Sequence, residues 1–282
     1  MSKLNVRRYG VILCAFMALM FTKAYAYNLP VSTKDFASVD EAVVEIQRAL
    51  KKQGYTIPLV VNHAAAAASV GLTLRPTQVI FARQPKRLER RMLHRSDTLA
   101  IDLPIKVLVF EDESGTIQIR DNAIGYLIDR HQAWLFDPLW YKARKATAGF
   151  SDTDQGLVSV VSDLSVEETV SALQEAISAN PAFRIPLVVN FCNQRWEGCP
   201  QLVVFGNPNA GTPLMQANQA IGIDLPQKFL VSHNDEGEVI ITYNDPIFFA
   251  KRHNIQGQDA RLSAIANALA NFANQGAGNP SP

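Results

Sequence analysis

The chain has 282 residues, with 27 Lys or Arg against 26 Asp or Glu, so its formal net charge is only +1. This balance gives no general electrostatic attraction to nucleic acid, and no nucleic acid partner is expected.

The N-terminal segment predicts export. Arg7 and Arg8 make its start basic, Val11–Phe21 is an apolar run, and Ala24-Tyr25-Ala26 supplies the small residues that signal peptidase recognises. We expect a Sec-type signal peptide, residues 1–26, and a periplasmic or secreted mature protein without a transmembrane segment. A retained anchor is the alternative, although the apolar run is short for a bilayer span.

The mature part contains an internal repeat. Ile57–Asn62 recurs unchanged as Ile185–Asn190, and Ile101–Pro104 recurs as Ile223–Pro226, after which the copies run ungapped at an offset of 122 residues. Further identical pairs are Lys106 and Lys228, Leu108 and Leu230, Gly115 and Gly237, Asn122 and Asn244, Arg130 and Arg252, and His131 and His253. Because order and spacing are both kept, the chain is a tandem duplication.

Copy one, residues 27–132, opens with a predicted helix. Ser38–Glu41 resembles a capping box, and an apolar stripe at helical spacing continues to Leu50 and ends at Gly54. After the strand Ile57–Asn62, Asn62 is a suitable N-cap for an alanine-rich helix that ends at Gly71.

A connector, residues 133–156, follows copy one. Its Trp134, Trp140 and Tyr141 are expected to bury against a domain, with a binding platform as the alternative.

Copy two, residues 157–274, repeats the pattern more clearly. Ser165–Glu168 forms a capping box for a helix that ends near Pro181, and Asn207-Pro208 and Asp245-Pro246 begin two further helices. The predicted strands are Leu157–Val161, Ile185–Phe191, Gln201–Phe205, Ile221–Val231 and Glu238–Tyr243. The predicted fold class is therefore α+β. Each of the two copies is expected to form an antiparallel sheet with helices on one face. Residues 275–282 are expected to form a disordered tail.

Copy two carries the motifs of a known family. Phe205–Pro208, Gly211–Gln216, Gly222–Pro226, Tyr243–Pro246 and Arg252-His253 resemble the bacterial domain of unknown function 302 family. In copy one, His63–Ala67 and Leu74–Thr77 resemble an earlier stretch of the same family. The resemblance implies a TATA-binding-protein-like α+β fold and no established activity.

Each copy keeps the half of this family signature that the other has lost. Copy one has His63 but has Glu89–His94 in place of Gly211–Gln216, whereas copy two keeps that segment and has Phe191 in place of His63. The division suggests one composite site shared by the copies.

The candidate ligand-binding residues follow from that division: Asn62, His63, Asn207, Thr212 and Gln216. Two helix N-termini with a nearby glycine can approach an anionic or polar ligand closely. The alternatives are a local cap contact for His63 and a turn-forming role for Asn207-Pro208 and Gly211.

Other polar residues are interpreted as structural. Asp102 and Asp224 are expected to bond their own backbone, and His131 and His253 to complement the end of a helix. No metal site or cofactor is expected, since the histidines show no metal-binding spacing. A solvated basic face is predicted for Arg83, Lys86, Arg87, Arg90, Arg91 and Arg95, with an anionic surface or partner as the alternative.

Cys192 and Cys199 survive signal cleavage and lie between two predicted strands. A structural disulfide is the favoured interpretation in an oxidising compartment.

Two functions remain open. The first is a non-enzymatic binding or interaction protein for a small ligand or protein partner, a pseudo-dimer within one monomeric chain. The alternative is a thiol-redox or hydrolytic enzyme that uses Cys192 and Cys199, or His63 as a base.

Overall fold

The computed structural model describes residues 36–93, 96–122, 124–131, 155–192 and 198–279. The predicted signal peptide and the connector aromatics Trp134, Trp140 and Tyr141 lie outside these residues. So do Arg95 and the last three residues of the predicted tail.

Copy one forms a four-stranded antiparallel sheet in the order β1-β2-β3-β4. Its elements are α1 (Val39–Lys52), β1 (Thr56–Asn62), α2 (His63–Ala68), β2 (Thr77–Arg83), α3 (Lys86–Leu93), a 3-10 helix (Asp97–Asp102), β3 (Ile105–Glu111), β4 (Ile117–Asp121) and α4 (Ile124–His131).

Copy two forms a five-stranded antiparallel sheet in the order β5-β9-β8-β7-β6. Its elements are β5 (Leu157–Ser162), α5 (Val166–Ser178), β6 (Arg184–Asn190), β7 (Gln201–Gly206), α6 (Pro208–Ala217), a 3-10 helix (Gln219–Ile223), β8 (Gln227–His233), β9 (Val239–Asn244), α7 (Pro246–Arg252) and α8 (Asp259–Gly276). The predicted α+β class with antiparallel sheets is confirmed.

The helix starts form as the sequence predicts. The Ser38 hydroxyl accepts a hydrogen bond from the Glu41 amide, and Ser165 with Glu168 makes a reciprocal capping box. Asn62 Oδ1 accepts from the Ala65 amide at 2.9 Å and so caps α2. Gly71 has a φ of +76°, a conformation that glycine adopts without strain, and the chain turns there after α2.

Three predicted boundaries in copy two are wrong. The strand predicted at Ile221–Val231 begins only at Gln227, because Asn218 caps a 3-10 helix and Pro226 has no amide to donate to a ladder. The closing helix is two helices, α7 and α8, separated at Asn254, whose φ is +50°. Helix α8 continues to Gly276 and thus into the segment predicted to be a disordered tail.

The two sheets pack face to face, with helices on their outer faces. Alternate residues of the central strands point inward into one shared apolar cluster, which includes Val79, Phe81, Leu108, Leu202, Val204 and Leu230. The intervening Val203 and Phe205 point outward, beneath α5 and α8. Helix α1 packs on β2 and β3 of the first sheet. Each copy therefore covers the inner face of the other.

Ten polar residues, five pairs related by the repeat, lie along this interface, and we term them the seam cluster. They are Asp102, Lys106, Asn122, Arg130 and His131 with their counterparts Asp224, Lys228, Asn244, Arg252 and His253.

Reciprocal hydrogen bonds in the seam cluster join the copies. Arg130 Nη2 donates to Asn244 Oδ1 at 2.5 Å, and Arg252 Nη2 donates to Asn122 Oδ1 at 2.7 Å. Since each arginine crosses to the asparagine of the other copy, the arrangement has the two-fold symmetry of a dimer interface within one chain.

The expectation that Asp102 and Asp224 bond their own backbone is wrong, because both carboxylates bind side chains, while His131 and His253 do lie at helix ends as expected. Asp102 Oδ2 accepts from Arg130 at 2.7 Å and contacts His131 Nε2 at 2.8 Å, and both carboxylates are fully buried. Asp224 pairs in the same way with Arg252 and His253. A buried carboxylate needs a charged partner more than a backbone amide, and the repeat supplies one in each copy.

The basic face is smaller than predicted. Lys86, Arg87 and Arg90 are exposed on α3, but Arg83 forms a bidentate ion pair with buried Glu89 and donates to the Asn190 carbonyl at 3.0 Å. Arg83 therefore joins the copies instead of facing solvent.

Cys192 and Cys199 are disulfide-bonded, with their Cα atoms 5.8 Å apart. Among the described helices, none has both the length and the hydropathy for a bilayer crossing.

Candidate functional site

A groove of about 840 Å³ lies between the two copies, and its volume is that of a small-molecule site. Copy one contributes the end of β1 and helix α2. Copy two contributes the start of β6, the turn from β7 into α6, the segment Leu225–Gln227 and one face of α8. The apolar part of the wall includes Leu59, Val61, Ala66, Phe183, Phe205, Leu214, Met215, Ala264, Ile265, Ala268 and Leu269.

Four of the five sequence-predicted ligand-binding residues line this groove: Asn62, His63, Asn207 and Thr212. The fifth, Gln216, does not. Its side chain is exposed and its Nε2 donates to the Thr73 carbonyl of copy one at 2.7 Å. Gln216 lies one helical turn beyond Thr212 and links α6 to copy one outside the groove.

His63 sits at the N-terminus of α2 with only 5% of its surface exposed. Its ring hydrogen-bonds with the backbone of Gly222 in copy two, while its Nε2 has no partner among the described residues. A neutral imidazole carries its proton on one nitrogen only, so with the proton on Nδ1 the unpartnered Nε2 is a hydrogen-bond acceptor.

Helix α6 forms the opposite wall. Asn207 Oδ1 accepts from the Asn209 amide at 2.9 Å, and Pro208 occupies the first turn, where no intrahelical donor is needed. A Cβ on Gly211 would lie 3.3 Å from Leu225, so glycine lets α6 approach the segment before Gln227 closely. The His63 segment of copy one and the Asn207–Thr212 segment of copy two therefore lie on opposite walls of the same groove.

Three buried polar atoms on the groove wall have no hydrogen-bond partner within the described part of the chain. They are His63 Nε2, Thr212 Oγ1 and Gln227 Oε1. Buried polar groups without partners are rare in folded proteins, because each costs about 1–3 kcal/mol. The groove thus combines an apolar wall with unused hydrogen-bonding capacity.

Sequence analysis missed Gln227. At the repeat offset its counterpart in copy one is Ile105, so a polar residue stands in one copy where a strand residue is apolar in the other. This difference between Gln227 and Ile105, in segments that otherwise match, is the sequence feature that could have indicated a polar role for Gln227.

A family described as domain of unknown function DUF302 matches residues 30–135 and 200–272. The chain belongs to this family. The DUF302 match covers most of copy one and the second half of copy two, including α6 and the Leu225–Pro226 segment, which line the groove.

Curated relatives come from three Brucella species. Proteins named fluoride-specific ion channel FluC 1 in Brucella suis and Brucella abortus are each 34% identical over 131 residues, which is 44% of this chain and 51% and 48% of theirs. A protein named FluC 2 in Brucella melitensis is also 34% identical to this chain, and the match covers 48% of that protein's length. The chain spans about half the length of the curated relatives it matches.

One solved structure is also similar, an uncharacterized conserved DUF302 protein from Bacillus stearothermophilus. Its sequence identity to this chain is 17% and the TM-score is 0.38. The match covers 43% of this chain and 97% of the other.

Burial lowers the pKa of His63 from 6.5 to about 4, and its bond with the Gly222 backbone opposes this only in part. Below pH 6.5 His63 is protonated in the unfolded chain but stays neutral in the folded protein, so the free energy of unfolding decreases as the pH is lowered. We expect His63 to account for a loss of about 2–3 kcal/mol between pH 7 and pH 4.5, at 1.36 kcal/mol per pKa unit.

The variant His63→Phe, the residue that copy two has at this position, should lack this loss. Urea unfolding of both proteins at pH 7, 5.5 and 4.5 measures the difference. If the free energy of unfolding fell equally in both proteins as the pH is lowered, the His63 ring would be protonated as easily in the folded protein as in the unfolded chain, and the prediction would be wrong.

Proposed function

We propose that the protein is an exported binding protein that holds one small amphiphilic molecule in the groove between its two copies. The observation that carries the proposal is the presence of three unpartnered buried polar atoms on an otherwise largely apolar wall. Ligand sites commonly combine apolar area for affinity with a few placed polar groups for orientation.

The polar atoms define the chemistry of the ligand. Nε2 of neutral His63 and Oε1 of Gln227 are acceptors, and the Thr212 hydroxyl can act either way. A ligand head that donates hydrogen bonds matches these atoms: an ammonium can donate to all three, whereas a hydroxyl donates to one acceptor and can accept from Thr212. The apolar body of the ligand then lies along the small side chains of α8, Ala264 and Ala268.

Export and secretion belong to the same proposal. The support is the N-terminal segment that resembles a signal peptide, together with the Cys192–Cys199 disulfide, which is typical of oxidising compartments. Channel activity, which the names of the Brucella relatives describe, is not part of the proposal because the match spans about half of those proteins.

The groove can be filled by a single substitution. Ala264→Trp places an indole in the groove, whereas Ser263→Trp adds the same side chain at an exposed neighbouring position that does not line it. With an environment-sensitive apolar dye, N-phenylnaphthylamine, we expect the wild type and Ser263→Trp to bind and Ala264→Trp to lose at least tenfold in affinity.

Competition with that dye tests the ligand head. Dodecanol and dodecylamine should displace the dye better than dodecanoate, which offers no donor at pH 7. The preference should disappear in His63→Phe. Equal dye binding by the two tryptophan variants would contradict the assignment of the groove as the site.

Thiol chemistry separates the proposal from the redox alternative. A structural disulfide predicts no free thiol in the exported protein and no disulfide exchange with a reduced substrate. Catalytic exchange through Cys192 and Cys199 would instead favour the redox enzyme.

A further inference from the structure

The seam cluster contains more cations than anions. Its two carboxylates, Asp102 and Asp224, face four basic side chains, Lys106, Lys228, Arg130 and Arg252, and all but Arg252 are almost fully buried. Lys106 lies between the carboxylates, 3.1 Å from Asp102 Oδ1 and 3.9 Å from Asp224 Oδ1. Both arginines are also paired with them.

Among the described residues, Lys228 is the basic residue of the cluster that forms no ion pair with a carboxylate and has Lys106 as its charged neighbour. Its Nζ makes no hydrogen bond within the described residues although only 1% of the residue is exposed. Burial, and then the charge of neighbouring Lys106, lower its pKa well below the usual range. The charges of Asp102 and Asp224 oppose this shift, but both carboxylates are already paired with other cations. An amine whose protonated form is disfavoured by burial and by a neighbouring cation lies where an anion would be stabilised.

Further unpartnered donors lie beside Lys228. The pairing of Phe229 with Tyr243 places the next residues, Lys228 and Asn244, opposite each other on neighbouring strands. Asn244 is fully buried and its Oδ1 is used by Arg130, but its Nδ2 has no partner among the described residues. Nδ2 of Asn122, the counterpart of Asn244, also has no partner there. Because Val107 pairs with Asp121, Asn122 lies opposite Lys106, the charged neighbour of Lys228.

Tyr126 completes this set of donors. Its hydroxyl is buried and has no partner within the described chain, and its ring lies against the Arg252 guanidinium, 3.8 Å from the centroid. Tyr126 is also close enough to Arg130, Asp102 and Asp224 for their charges to act on it. Lys228, Asn244, Asn122 and Tyr126 thus offer four buried donors around one cluster of positive charge.

We propose that the seam cluster binds a small monoatomic anion of halide size between the two copies, held by Lys228 and Asn244 and supported by Asn122 and Tyr126. This site is separate from the groove, since none of these residues lines it. The anion balances the excess positive charge of the cluster. It also accepts hydrogen bonds from the N–H and O–H groups that have no acceptor among the described residues.

Burial sets the size of the ligand. Lys228 and Asn244 are at most 1% exposed, so an occupant larger than about one water molecule would have to displace packed side chains. An oxyanion such as sulfate would have to displace these packed side chains. A single water there would satisfy the donors but would leave the charge unbalanced.

Thermal unfolding in different sodium salts tests the site. Replacing gluconate, which is too large to enter, by chloride, bromide or fluoride at constant ionic strength should raise the Tm of the wild type. The rise should be about 3 °C at ten times the dissociation constant. Lys228→Met removes the amine at nearly equal volume, and we expect its Tm not to respond to the anion.

A second variant keeps the test decisive. Asn244→Asp retains the oxygen that Arg130 requires and puts a carboxylate oxygen in place of the amide nitrogen. This built-in anion should make the protein insensitive to halide without loss of stability in gluconate. The expected halide response in the wild type, lost in both variants, supports the proposal.

Crystals soaked in bromide supply an independent readout. An anomalous peak within hydrogen-bonding distance of Lys228 Nζ and Asn244 Nδ2 is the expected result. No peak there, or a halide response that Lys228→Met retains, would overturn the site and leave water as the occupant.

Discussion

Replacing Lys106 with methionine is expected to destabilise the folded protein by about 3–5 kcal/mol, the usual loss when one partner of a buried ion pair is removed. Lys106 is the cation that bridges Asp102 and Asp224, and no water can reach those carboxylates to replace it. The same substitution at its counterpart, Lys228, should leave stability at pH 7 unchanged or raise it, because burial of that unpaired amine is unfavourable.

Urea unfolding in gluconate buffer at pH 7 measures both variants against the wild type. The two lysines are related by the repeat and both follow a Leu-Pro pair, so each is the control for the other. Equal losses in Lys106→Met and Lys228→Met would contradict the asymmetry and would indicate that both amines share the carboxylates.

Arg130→Met should be as damaging at the interface between the copies as Lys106→Met, with a loss of about 3–5 kcal/mol. Arg130 pairs with Asp102, donates to Asn244, and reaches the carbonyls of Gln155 and Gly156 at 3.0 and 3.3 Å. Methionine retains much of the packing volume but leaves a buried carboxylate and several acceptors without their donor.

Arg252→Met is the matched control for this prediction. The Arg252 side chain is 21% exposed against 1% for Arg130, so solvent can partly replace it, and we expect a loss of about 1–3 kcal/mol. Denaturant unfolding monitored by far-UV circular dichroism compares the two. A larger loss for Arg252→Met would show that burial does not set the strength of these two pairs.

The sequence predicted most of the local structure because the helix starts and the repeat are local signals. Ser38, Asn62 and Ser165 cap helices as expected, and the repeat with its alternating apolar strands indicated two antiparallel sheets. The strand start at Ile221 was predicted wrongly, since an apolar run does not distinguish a buried 3-10 turn from a strand.

The groove was predicted in part and the seam cluster was missed. The complementary loss of signature halves predicted that His63, Thr212 and Gln216 lie close together. His63 and Thr212 line one groove, but nothing in the sequence indicated that Gln216 lies outside it. The seam cluster depends on contacts between residues more than 100 positions apart, such as Arg130 with Asn244. Its signal was nevertheless visible: charged residues repeated at a constant offset in both copies.

The two-fold arrangement of the copies implies a second position equivalent to the groove, where the end of β6 faces helix α3. Phe191 occupies the place of His63 there and packs in a cluster with Met92, and Arg83 joins Glu89 to the Asn190 carbonyl. Within the described residues, the protein's own side chains occupy this counterpart. Duplication has therefore converted a symmetric pair of potential sites into a single one, and titration of any groove ligand should saturate at one equivalent per chain.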